Sequence, residues 1–239
     1  MDTKIFKFQG KYYTSNQGWG LYHPKYNYWY DPSCITINND TAILDISNNT
    51  YNSKNFGAGQ MVSKRHYLYG TFEWSYLLPK GRNIWPAIWL TGVESWPPEI
   101  DVVEGWTSKG YFIKNKPNYK RFVGFNNIVP GLFYGTQDNL KHYCKASLGT
   151  RTTFSCLQPS NKVNDCKLEW TPNMIRVSYN NYVVMEVIDK NILKEFNKPM
   201  VVIMNNAITN EFTNEDYTYY KQYGRPFSII NFNYSYYEG

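Results

Sequence analysis

Long apolar runs are missing from this chain. None of its 239 residues belongs to a stretch near the ~20 apolar residues that span a bilayer as a helix, so no bilayer-spanning helix is expected within them. The amino terminus, Met1-Asp2-Thr3-Lys4-Ile5-Phe6-Lys7, lacks the apolar core of an export leader. Cysteine is scarce: Cys34, Cys144, Cys156 and Cys166 form no CxxC pair and have no histidine at ligand spacing, which argues against a zinc site. Three of the four fall between positions 144 and 166, so one local disulfide and free buried thiols are equally open. The three histidines, His23, His66 and His142, share no ligand spacing and read as ordinary residues. No Ser-His-Asp signature or phosphate-cradling glycine loop occurs. The net charge is +6, yet Lys64-Arg65-His66 and Lys120-Arg121 are the longest basic clusters; scattered solvated charge does not make a nucleic-acid face. Repeats and Gly/Ser/Pro linkers are also absent, which predicts one domain over 1–239.

What the chain has in abundance is aromatic side chains, 18% of it, with 23 Tyr and 8 Trp. Such residues suit a pleated, half-buried surface, and a surplus of rings suits a sugar cleft, where flat apolar faces carry polar edges. Short alternating or apolar runs predict strands at 34–38, 42–47, 59–64, 71–78, 87–90, 99–104, 121–126, 174–179, 183–187, 200–205 and 227–236. Asn180-Asn181 reads as a hairpin turn, because asparagine tolerates positive φ. Only 189–196 looks helical, and 137–166 reads as a polar inserted loop. The pattern predicts an all-β antiparallel sandwich or barrel.

The stretch Trp96-Pro97-Pro98-Glu99-Ile100-Asp101-Val102-Val103-Glu104-Gly105-Trp106 holds the candidate chemistry. Alternation puts Glu99 and Asp101 on one face of a strand, with Ile100 and Val102 on the other. Strict alternation would also send Glu104 to the apolar face, a costly place for a carboxylate. A one-residue bulge near Val102 or Val103 brings it back to the face of Glu99 and Asp101. Two carboxyls roughly 5–5.5 Å apart are what a retaining glycosidase needs, one as nucleophile and one as acid/base. Asp101 between them would add negative charge that keeps the acid protonated. A bare strand with three solvated acids is the bland alternative, and the flanking Trp96 and Trp106 weigh against it.

Glu99-Ile100-Asp101-Val102-Val103-Glu104 resembles the bulged signature of glycoside hydrolase family 16, shared by laminarinases, agarases and carrageenases. Upstream, Tyr69 to Glu73, Leu78 to Gly81 and Trp85 to Leu90 follow the family's order. Downstream, Leu168 to Pro172 with Ile175-Arg176, and Met204-Asn205-Asn206-Ala207, resemble its later elements. The likeness covers about residues 35–237. It implies a concanavalin-like jelly-roll β-sandwich that cleaves internal β-glycosidic bonds with retention, Glu99 the nucleophile, Asp101 its assistant and Glu104 the acid/base. It also implies a polysaccharide or oligosaccharide as partner, with no nucleic acid, no membrane and a monomer. Secretion or cell-surface placement then requires a leader already removed, or another route out. Ser75 stands where the family usually has Arg, Phe133 where many members have His, and Asn231 where an Asp often accompanies structural calcium. No cofactor is expected. The Ser75 and Phe133 departures and the 137–166 segment favour a β-galactan over a β-glucan by a small margin, and the basic charge adds slightly to that.

Trp96, Trp106, Glu73 and Asn205 are the candidate substrate-binding residues. Trp85 and Trp89 share a face with Ala87, and at least one of the two indoles is expected in the core. The aromatic group Trp19, Tyr22, Tyr26, Tyr28, Trp29 and Tyr30 reads as edge packing, with a cleft wall as the alternative. The rival to an enzyme is a non-catalytic, lectin-like sandwich, since fold does not fix function; the intact acid triplet separates the two.

Overall fold

The computed structural model describes residues 4–15, 25–106, 125–143, 157–159 and 161–238, with backbone only at 106, 125–127 and 157–159. Nineteen strands follow in chain order among these residues. The first eight are β1 (Ile5–Phe8), β2 (Lys11–Thr14), β3 (Tyr28–Tyr30), β4 (Ile35–Asn38), β5 (Thr41–Leu44), β6 (Ile46–Ser47), β7 (Phe56–Ala58) and β8 (Gln60–Ser63). Next come β9 (Gly70–Leu77), β10 (Ile84–Gly92), β11 (Glu99–Trp106), β12 (Phe125–Gly135), β13 (Leu140–Tyr143) and β14 (Leu157–Pro159). The last are β15 (Asn164–Thr171), β16 (Met174–Tyr179), β17 (Tyr182–Val187), β18 (Met200–Ile208) and β19 (Phe227–Ser235), with helices α1 (Lys190–Leu193) and α2 (Asn214–Tyr223).

One antiparallel sheet runs β1-β2-β8-β18-β10-β11-β12-β13, with β14 also on β12. A second runs β17-β16-β15-β9-β19-β5-β4, and β3-β7-β6 form a small third sheet. Alternation decides what lies between the two large sheets. In β9, Phe72, Trp74 and Tyr76 turn inward while Glu73 faces out. Trp74 stacks between Phe72, at 6.0 Å and 10°, and Phe232, at 5.0 Å and 17°. Met61, Ile88, Leu90, Ile100, Val102 and Val103 of the first sheet join that same core. Buried side chains of this kind contribute on the order of 2–3 kcal/mol each. The indole of Trp170 stays buried because its N–H donates to the Phe196 carbonyl at 3.0 Å.

The Asn180-Asn181 turn forms as the sequence predicts, with φ of 47° and 71°. Three expectations need correction. The 137–166 segment is not all loop, since β13, β14 and the start of β15 lie in it. The strand placed at 121–126 runs instead over Phe125–Gly135, and 121–124 lie outside the described residues. Helix α2 was not anticipated; a Thr213–Asp216 capping box starts it, while its tyrosines read locally as β formers. Cys34 and Cys166 are buried free thiols, and Cys144 and Cys156 lie outside the described residues. Among the described residues no helix is long and apolar enough to cross a membrane.

Candidate active site

The site lies on the outer face of the first sheet and is centred on β11. Between its neighbours β10 and β12, Asp101 pairs with Trp89 and Gly131, and Glu104 pairs with Ala87 and Val129. Two residues, Val102 and Val103, therefore oppose the single Pro130, which is a bulge. Both valines are fully buried in the core beside Ile100. The parity conflict in the sequence is resolved there: the extra residue goes inward, and Glu99, Asp101 and Glu104 share the outward face.

Three indoles organise this face. Trp96 donates its N–H to Glu99 Oε2 at 2.8 Å, Trp85 to Glu104 Oε1 at 3.2 Å, and Trp89 to Asn205 Oδ1 at 2.7 Å. Trp96 sits in the turn between β10 and β11. That turn is tight at Gly92, where a Cβ would lie 2.4 Å from the Ser95 carbonyl. Burial pushes both glutamates up to about 7. For Glu99 the indole of Trp96 acts against that rise and the charge of Glu104 adds to it; for Glu104 the indole of Trp85 opposes it. The shorter indole bond is on Glu99, and a hydrogen bond donated to a carboxyl group favours its charged form.

Asp101, only 4% exposed, lies between the two. Across from it Gly131 leaves space: a Cβ there would stand 3.1 Å from His142 Nε2 and 3.3 Å from Asp101 Oδ2. His142, on β13, stacks on Phe133 at 4.3 Å and 9°, and burial lowers its pKa. Phe133 pairs with Glu99 and its ring is 6.4 Å from that of Trp96. On the Glu104 side, Tyr26 meets the edge of Trp85 at 5.7 Å. Rings therefore flank the acids on both sides.

Most of the candidates from the sequence converge here. Glu99, Asp101, Glu104, Trp96 and Asn205 do so, and the side chain of Trp106 lies outside the described residues. Glu73 does not. It is exposed on the far side of the second sheet, in a groove with Ser75 and Asp165, because Phe72 and Trp74 claim the core side of β9. Trp85 and Trp89 are both half-buried: each aims its N–H at a cleft residue while its ring packs on a core cluster, Trp85 on that of Tyr28, Ile84 and Ala207 and Trp89 on that of Val62, Val201 and Ile203, so both also serve the core. Tyr28, Trp29 and Tyr30 pack inside, Tyr26 walls the cleft, and Trp19 and Tyr22 lie outside the described residues. Phe133 and His142 were missed as a ring pair, since only the β12–β13 register joins them. Trp85 and Trp89 were legible in principle, as they alternate with the residue opposite Glu104.

Among the described residues no group of three His, Cys, Asp or Glu side chains is placed to hold a metal ion. Asn231 brings a neutral amide to the outer groove, a weak ligand for calcium. What the cleft offers is a pair of carboxyl groups, each bound by an indole N–H, with flat rings on either side.

Comparison with known proteins agrees with that chemistry. The sequence pattern of glycosyl hydrolases family 16 matches residues 23–116. A β-glucanase of Rhodothermus marinus is 28% identical over 177 residues, which take in 69% of this chain and 54% of that protein. The chain thus spans about half the length of that relative. Among solved structures, LamAcat of Zobellia galactanivorans superimposes with a TM-score of 0.66 at 16% identity, over 98% of this chain and 90% of the other. The laminarinase catalytic domain of Thermotoga maritima gives 0.63 at 15%, over 93% and 86%. These structural likenesses establish the fold, a jelly-roll sandwich. Taken with the bulged strand that carries Glu99, Asp101 and Glu104, the matches make the chain similar, over residues 23–116, to glycosyl hydrolases family 16.

Proposed function

We propose that this protein hydrolyses internal β-glycosidic bonds of a polysaccharide with retention of anomeric configuration. The observation that carries the reading is the bulge in β11, which sets Glu99 and Glu104 on one exposed face, each bound by an indole N–H. In the first step the Glu99 carboxylate attacks the anomeric carbon. Glu104 gives its proton to the departing glycosidic oxygen, and a glycosyl ester forms on Glu99. In the second, Glu104 takes a proton from water, whose oxygen displaces Glu99 and releases the sugar. Asp101 holds its place between them. Rings on both sides of the acids support binding of several sugars and cleavage within the chain.

A β-glucan is the substrate we put first, reversing the order suggested by the sequence. Ser75, one of the grounds for a galactan, bonds Asp165 at 2.6 Å on the far side of the second sheet and does not face the cleft. The similar proteins are named as a β-glucanase and laminarinases. A polymer of this kind is met outside the cell, and we place the enzyme there, acting as a monomer, since one chain supplies the whole acid pair.

The test is product sizing on laminarin, lichenan, agarose, carrageenan and mucin glycans with the wild type, Glu99→Gln and Glu104→Gln. Oligosaccharides from a β-glucan are expected, and each variant should lose at least about a hundredfold in rate. Near-full turnover by Glu99→Gln would overturn the assignment, and monosaccharide release alone would overturn endo action. Cleavage of a galactan but no glucan would restore the order suggested by the sequence.

A further inference from the structure

The bulge in β11 has a hydrogen-bond partner outside its own sheet. An extra residue in a strand leaves backbone groups outside the ladder, and a buried carbonyl without a donor is costly. Val102 is fully buried and falls within the register shift on both sides. Pro130, at the matching position of β12, has no N–H to give. The donor comes from the opposite sheet: Tyr179, 1% exposed at the end of β16, donates its hydroxyl proton to the Val102 carbonyl at 2.6 Å, 77 residues away in sequence.

Tyr179 is well anchored for such a task. The next residue, Asn180, donates its backbone N–H to the Asp165 carbonyl at 2.9 Å, and Asp165 N–H donates to Asn180 Oδ1 at 2.8 Å. The end of β16 is thereby tied to β15, which packs against β11 across the core. We infer that Tyr179 is a positioning residue, whose hydroxyl holds the Val102 bulge and through it aims Glu104 at the glycosidic oxygen. The inference rests on the assignment of Glu104 as acid/base. It touches Glu104 more than Glu99, because the bulge lies between Asp101 and Glu104 while Glu99 precedes it and is held by Trp96.

Acid catalysis can be isolated by the leaving group. A 2,4-dinitrophenyl glycoside departs without a proton, whereas a sugar does not. Tyr179→Phe keeps the ring and removes the donor. Its kcat on the polysaccharide should fall about 10- to 100-fold with KM little changed, the scale of a misplacement near 1 Å. Its rate on the dinitrophenyl glycoside, measured as formation of the glycosyl-enzyme, should stay within about threefold of wild type. Glu104→Gln, run in parallel, should show the same split more strongly, and Glu99→Gln should lose both rates. If Glu104→Gln shows no split, the assignment of the acid has failed and the inference falls with it. If Glu104→Gln shows the split but Tyr179→Phe loses both rates equally or neither, the assignment stands and Tyr179 only packs. 4-Aminophenylalanine at position 179 retains an N–H donor in the same ring position and should keep the polysaccharide rate. Loss of that rate in the folded protein would overturn the inference, and its retention supports it should Tyr179→Phe not fold.

Discussion

Replacing Trp96 by Phe would separate two jobs of one indole. The ring borders the cleft 6.4 Å from Phe133, and its N–H holds Glu99 Oε2 at 2.8 Å. Trp96→Phe keeps an aromatic face and removes the donor. A hydrogen bond to a charged group is worth about 1.5–3 kcal/mol. Because Trp96 is partly exposed, the lower half of that range applies. At 1.36 kcal/mol per pKa unit, the loss amounts to a rise of about one to one and a half units for Glu99. The sign follows from the donor: it favours the carboxylate, so removing it favours the protonated form. The nucleophile must be ionised, so the acid limb of kcat/KM against pH should move upward by that amount while the alkaline limb stays. The bell narrows and its maximum falls. The assay is initial rate on a soluble β-glucan from pH 4 to 9 at several concentrations. An acid limb that does not move, with only KM raised, would refute the electrostatic role and leave Trp96 as a sugar platform.

Two further outcomes follow from the same pair. Burial raises the pKa of Glu99 from 4.5 to about 7, so the folded chain binds that proton more tightly than the unfolded one. Stability from this group is full below about 4.5 and is lost as pH rises through about 7. Glu99→Gln, neutral throughout, should therefore match wild type at pH 4 and exceed it at pH 8 by up to about 3 kcal/mol, less where solvent reaches the carboxyl; equal denaturant midpoints at both pH values would contradict the burial argument. Proton NMR of the first product from a β-glucan should show the β anomer before mutarotation, and an initial α anomer would exclude the double displacement.

Much of the centre was legible in the sequence because the conflict was local. Six residues, Glu99 to Glu104, contain both the alternation and its violation, and a bulge is the cheap resolution. The strand at Met174–Tyr179 and the Asn180-Asn181 turn were equally self-contained. What was not legible depended on which strands meet. Glu73 looks like a cleft acid until β9 is seen to belong to the second sheet, and Ser75 loses its bearing on substrate for the same reason. Asn164–Thr171 alternates well, yet its first three residues, Asn164 to Cys166, read as the end of the polar loop because their neighbours are polar. The Phe133–His142 stack and the Tyr179–Val102 bond are products of register and sandwich packing, and no spacing rule announces either.

The described hydrogen-bond donors to Glu99 and Glu104 are neutral indoles, not lysine or arginine. An indole N–H neither titrates in the working range nor attracts a cloud of counter-ions. The contribution of these two donors is therefore that of fixed dipoles, which carry no net charge for dissolved salt to screen. Ionic strength acts instead on exposed charges such as the scattered surface lysines and arginines.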